Sequence, residues 1–326
     1  MKKIKTVQIH MKLSGRMTQL PDSQKIFGAL IYLYEEHTSR EEASRLVSAV
    51  KEGNLYVALS NMLPAGRFPL PQQYLLETLS TSGNGMPDKK FYKAVKERQY
   101  ISEEDLKQVI REPGYISEIK SYAKTQDTQQ IHVSIDSLQY RLPGLDPNSY
   151  SVPEVSILDV EDVKKENKEF YFYLAVEQGD RAERLLEILK QAKDRLHPFF
   201  LGPRASQGMN LYYIDGITPQ TMEFDGKTTF YLNMGMLLPG AIDLKRSYLK
   251  LFTSQRRPYQ MPGGWDQGQT SQFISFIQAG SVVALNGNLE QAGRSVESPY
   301  DSRAVIFGSP FLYPLKEVKG GREDGR

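Results

Sequence analysis

His197-Pro198-Phe199-Phe200-Leu201-Gly202-Pro203-Arg204-Ala205-Ser206-Gln207-Gly208-Met209-Asn210 is a glycine-flanked loop that carries a basic and a hydroxyl side chain between a strong helical pattern and an aromatic strand. The helical segment opens at Asp180 with Glu183 three residues on, a capping-box spacing, and repeats Leu185, Leu189, Ala192 and Leu196 on one face. Lys190, Lys193 and Arg195 crowd its end, and Pro198 stops it. Beyond the loop, Leu211-Tyr212-Tyr213-Ile214 has the character of a strand. Glycines in such a link let backbone amides approach a ligand closely, which suits a grip on a phosphate backbone. The competing account is that Gly202 and Gly208 merely shape a connection and Arg204 is a solvated charge. A nucleotide-hydrolase phosphate loop is excluded, because Met209-Asn210 follows Gly208 where that motif needs Lys and then Ser or Thr. No dinucleotide fingerprint fits either.

Working outward, 326 residues suffice for two domains, and 40% hydrophobic with 25% charged residues is ordinary for a soluble globular chain. The start is basic but continues as Val7, Ile9, Met11 and Leu13 on one face, a strand and not the apolar core of a signal peptide. No stretch is apolar enough for a membrane span, so a cytoplasmic location is expected, with no membrane contact. Zero cysteines exclude disulfides and thiolate chemistry, and the four histidines, His10, His37, His132 and His197, lack metal-ligand spacing. No metal, cofactor or catalytic residue is expected. A net charge of +2 is too small to hold nucleic acid by bulk attraction, so any basic surface must be local.

Phe27, Leu30, Ile31 and Tyr34 mark a core helix capped by Asp22 or Ser23. From about 39 to 112 the pattern is helical, with Ser39/Glu42 and Ser102/Asp105 as capping boxes, and resembles an inserted lobe. Its cluster Lys89, Lys90, Lys93, Lys96 and Arg98 suits a solvated helix face or contact with RNA. Strands return at Gln130–Asp136 and Phe170–Val176, separated by an excursion of about 137–168 whose tip carries Leu138, Tyr140, Arg141 and Leu142. Without the insertions, the order is strand, helix, strand, strand, helix, strand. That is the α+β order of a ferredoxin-like fold, shared with RNA-recognition motifs. Residues 218–318 are strand-rich and glycine-punctuated, a second domain and a degenerate copy of the first; 1–217 form the first, and 319–326 a flexible tail. In the second domain Lys245, Arg246, Arg256 and Arg257 form the densest basic patch, next to Tyr259.

Asp22–Leu30 resembles the first-helix signature of the CRISPR RAMP proteins, with Lys25 inside it. Val133-Ser134-Ile135-Asp136 resembles the strand that leads into their thumb hairpin, and Gly202–Gly208 sits where their glycine-rich loop lies. Gly240-Ala241-Ile242-Asp243, Tyr248-Leu249-Lys250-Leu251 and Gly280-Ser281-Val282-Val283 resemble the second domain of the RAMP subunit that caps the 5′ tag in type III-A, or Csm, effector complexes. The resemblance implies two RAMP domains of ferredoxin-like fold and a non-catalytic subunit for antiviral defence. Such a subunit grips the 5′ tag of the CRISPR RNA, lies near target RNA, and bridges the large polymerase-type subunit to the repeating RAMP backbone subunit. Loop contacts carry over to Gly202, Arg204, Ser206, Gln207 and Gly208. The sequence departs from the family in Pro203 and Asn210, which stand where glycines are usual. The rival class is a metal-independent RAMP endoribonuclease that processes repeat RNA, for which His10 is the candidate acid or base, although a hydrogen-bonded strand histidine looks the same.

Overall fold

The computed structural model describes residues 3–82, 88–134, 148–161, 165–221, 228–256, 272–298, 305–316 and 318. The expected thumb residues Leu138, Tyr140, Arg141 and Leu142, together with Arg257 and the tail 319–326, lie outside them.

The first strand, Ile4–Ser14, occupies the middle of the main sheet, and Val7, Ile9, Met11 and Leu13 are buried as their alternation requires. Leu211–Gln220 pairs with one of its edges and Glu169–Glu177 with the other, both antiparallel. Val57–Leu59 lies beyond Glu169–Glu177, again antiparallel. Taken in chain order, the four strands therefore stand 4-1-3-2 across the sheet. Six helices accompany the described chain: α1 (Ser23–His37), α2 (Arg40–Lys51), α3 (Gln72–Ser82), α4 (Lys89–Glu97), α5 (Glu103–Arg111) and α6 (Asp180–Asp194). Helices α1, α2 and α6 cover one face of the sheet and bury Leu30, Leu33, Leu46, Leu185 and Leu189 against it. Each fully buried aliphatic side chain contributes on the order of 2 kcal/mol. Asp22 caps α1, Ser39 caps α2 and Ser102 caps α5, each accepting from the amide three residues on. Asp180 does not cap α6: the cap is Gly179, whose carbonyl accepts from Glu183 N–H.

The second core strand is not Gln130–Asp136. It is Val57–Leu59, inside the block expected to be a helical insertion, so the insertion lies between core strands two and three. Three consecutive buried residues carry no period-two signal, whereas the residues of the alternating run up to Ser134 belong to another sheet. There Tyr122–Ser134 pairs residue by residue with Asn148–Val160 as a long hairpin. Its strands begin well before the expected thumb boundary at 137.

The second half forms a four-stranded sheet from Phe230–Asn233, Ile242–Tyr248, Val282–Leu285 and Leu312–Leu315. Numbered in chain order, these strands also stand 4-1-3-2, all antiparallel. No α-helix accompanies them among the described residues. Phe230, Leu232, Val282 and Phe311 pack with Tyr171 and Tyr173 of the main sheet and with Tyr74, Val95 and Leu106 of the lobe in one core. An RNA-recognition sheet would display stacking aromatics at this position. Here Tyr173 stacks on Phe311 at 4.6 Å, and Tyr171 Oη donates to the Arg67 carbonyl at 2.6 Å. That part of the face is covered by protein.

Candidate nucleic-acid interface

Helix α6 ends in two reverse-turn bonds, His197 N–H to the Ala192 carbonyl (2.8 Å) and Leu196 N–H to that of Lys193 (3.1 Å). This closure puts Leu196 in the left-handed region at φ 51°, a position that usually belongs to glycine. Leu196 is consequently 67% exposed and is not part of the apolar face on which its spacing placed it. The chain then runs out along Phe199–Phe200 and returns along Leu211–Tyr212, antiparallel, with the glycine-rich loop between.

Asn210 anchors that loop. It is fully buried, with φ 57°. Its Oδ1 accepts from Thr18 N–H at 2.9 Å, while Nδ2 donates to Thr18 Oγ1 at 3.0 Å and to the Pro203 carbonyl at 2.7 Å. Its own N–H donates to the Arg16 carbonyl at 2.8 Å. Asn210 thus does a glycine's conformational work and adds three side-chain bonds. Gly202 is required by the same packing, since a Cβ there would stand 2.7 Å from Asn210 Cγ.

Arg204, also left-handed at φ 65°, opens a single turn, Ala205–Gln207. Its guanidinium lies 5.6 Å from the Tyr150 ring centroid, and Nη1 donates to Gln207 Oε1 at 3.2 Å. Ser206, Gln207 and Gly208 are exposed on the crest. Tyr150 belongs to the long hairpin, whose base is docked beside the loop: Val155 N–H donates to the Met17 carbonyl at 2.8 Å, and Arg16 pairs with Glu154 at 3.4 Å. The structure thus brings Gly202, Arg204, Ser206, Gln207 and Gly208 together and adds Arg16 and Tyr150, which sequence reasoning missed. Arg16, just past Gly15 at the end of the first strand, was the discoverable one of the two.

Lys25 lines a groove of about 600 Å³ between α1 and Phe199–Pro203, along with Gly28, Tyr32 and Phe200. Its ammonium is paired with the cap carboxylate of Asp22, so a phosphate would have to compete for it. Lys245 and Arg246 stand elsewhere, on the second sheet; Arg246 lies over the Phe230 ring at 5.1 Å. Arg256 ends the strand Leu251–Arg256. In the lobe, Arg98 leaves the expected solvated cluster: its Nε donates to the Ile119 carbonyl at 2.9 Å, and its guanidinium covers Tyr122 at 5.1 Å. His10 Nε2 lies 3.4 Å from Thr218 Oγ1 across the sheet. Among the described residues no three His, Asp or Glu side chains converge as a metal site, and no helix is long and apolar enough to cross a membrane.

No protein-family model matches the sequence, nor does any curated relative. In shape the chain is similar to a chain of the Csm1–Csm4 cassette in complex with pppApA, with TM-score 0.52 and 13% identity over 97% of this chain and 100% of that one. It is likewise similar to a chain of the Csm3–Csm4 subcomplex of the type III-A CRISPR-Cas interference complex, with TM-score 0.51 and 14% identity over 96% and 99%. The fold of the chain is that of these structures along nearly its whole length.

Proposed function

We propose that this chain is a non-catalytic RNA-binding subunit of a type III-A interference complex, gripping the 5′ tag of the CRISPR RNA at Gly202–Gly208. On this reading it bridges the large polymerase-type subunit to the repeating backbone subunit. The observation that carries it is the loop itself. Asn210 ties a left-handed, glycine-bounded turn to the end of the first strand and leaves Arg204, Ser206 and Gln207 at its crest beside Arg16 and Tyr150. Cations and hydroxyls on a rigid crest make charge-assisted bonds to phosphate without first ordering a flexible chain. The whole-chain fold supports the setting, and Csm4 is paired with Csm1 in one similar structure and with Csm3 in the other. The two sheets of order 4-1-3-2 are then two ferredoxin-like RAMP domains, the second stripped of its helices.

The test is co-expression of the chain with its partner subunits and repeat-derived RNA. Arg204→Ala should reduce retention of tag RNA roughly tenfold, the size of one lost charge-assisted contact, with a smaller loss at high salt. The retained RNA should keep its full length. Unchanged retention by Arg204→Ala, or RNA cleaved by the chain alone, overturns the proposal.

A further inference from the structure

A polar groove of about 410 Å³ opens where three parts of the chain meet: the lobe, through Lys96 and Gln99; the segment after the second core strand, through Asn61; and the second sheet, through Lys250 and Gln278. Among the described residues no Asp or Glu lines it, and its charged side chains are Lys96 and Lys250. Neither ammonium has a carboxylate partner among the described residues. The Lys96 ammonium lies 5.5 Å from the Tyr92 ring centroid. Lys250 is fixed at its backbone, where its N–H donates to Ser281 Oγ at 3.0 Å and its carbonyl accepts from Gln278 N–H at 2.7 Å. Gln99 is held by its carbonyl oxygen, which accepts from Thr125 N–H at 2.9 Å and from Thr125 Oγ1 at 2.8 Å. Its NH2 group is left with no protein acceptor among the described residues.

Two cations, both open to solvent, and an amide donor line one groove that carries no carboxylate among the described residues. Burial, and the charge of Lys96, hold the Lys250 ammonium below the usual lysine range. An anion with several acceptor oxygens completes the set, and the groove has the volume of a small-molecule site. We propose that it is a second anion site, which takes the phosphate group of a nucleotide, either free or within an RNA strand. The proposal does not rest on the tag reading, since the groove shares no lining residue with the one beside Gly202–Gly208.

The test uses the full chain with inorganic phosphate, AMP and a short oligoribonucleotide, read by thermal shift and titration calorimetry. At least one probe should raise the Tm, and Lys96→Gln and Lys250→Gln should each weaken its binding roughly tenfold, whereas Lys120→Gln, at an exposed lysine that does not line the groove, should not. Binding of AMP or phosphate identifies the ligand as a free nucleotide; binding of the oligoribonucleotide alone, weakened by Lys250→Gln, identifies a passing RNA strand. Removing one of two like charges should leave the unliganded Tm of either variant at or above that of the parent, which separates lost binding from unfolding. Absence of a shift with all three probes, or undiminished binding by the double variant, overturns the proposal.

Discussion

The two sheets share a strand order and reach a core by opposite means. The first keeps α1, α2 and α6 on one face, so its interior is a side-chain interior of Leu, Ile and Phe. The second has no such cover among the described residues and packs its strands onto the first sheet and the lobe. Where the halves meet, backbone approaches backbone: Asn61 N–H donates to the Met234 carbonyl at 2.7 Å and Phe311 N–H to that of Leu59 at 2.9 Å. The same topology is thus stabilised once by helices and once by a neighbouring sheet. The helix-bearing half supplies the exposed loop at Gly202–Gly208 and the groove beside it.

That contrast is sharpest at Gly235. A Cβ there would collide with the Leu59 carbonyl oxygen, which belongs to the other half and cannot swing away. Gly235→Ala should cost about 3 kcal/mol or more in urea unfolding, whereas Gly28→Ala, with no atom within 4 Å of the added Cβ, should be neutral or stabilise α1 by about 0.5–1 kcal/mol. Equal effects of the two substitutions would erase the distinction between backbone and side-chain packing.

A smaller loss is expected at Asn210. Asn210→Ala leaves the buried Thr18 N–H unpaired and puts a Cβ-bearing residue without compensating bonds in the left-handed region; about 2–3 kcal/mol should go. Asn210→Gly keeps the backbone and removes only the side-chain bonds, so it should lie between the two. If Asn210→Gly matches the parent in both stability and tag retention, the loop is held by conformation alone.

Leu196→Gly should have a smaller effect than Gly235→Ala or Asn210→Ala, and of opposite sign. The residue is mostly exposed and left-handed, so glycine relieves strain and loses little packing, a gain of about 1 kcal/mol. A raised urea midpoint confirms it; a lowered one means the exposed leucine is stabilising the turn.

Periodicity made α1, α6 and the first strand legible, because each buries one regular face against a single partner layer. Alternation names neither the strand that lies beside a run nor the depth of its apolar face: the Tyr122–Ser134 strand pairs in another sheet, and Ile131 on it is exposed. Val-Ala-Leu at 57–59 is too short to show a period. In the site, glycines and Arg204 were visible as a local cluster. Asn210 looked like the loss of a glycine, yet its short amide side chain tolerates φ 57° and reaches Thr18, 192 positions away. Arg98 looked like one more surface charge, because nothing local reveals that its fork finds the Ile119 carbonyl.

The bonds from Asn210 to Thr18 and from Asn210 N–H to Arg16 span about three-fifths of the chain. Contacts of such sequence separation close late, after the intervening segments have condensed. On a ribosome the first strand therefore waits, with its end unpaired, until the fourth emerges. The crest at Arg204 acquires its shape only in a chain synthesised past Asn210, so a truncated or half-made chain presents no formed crest.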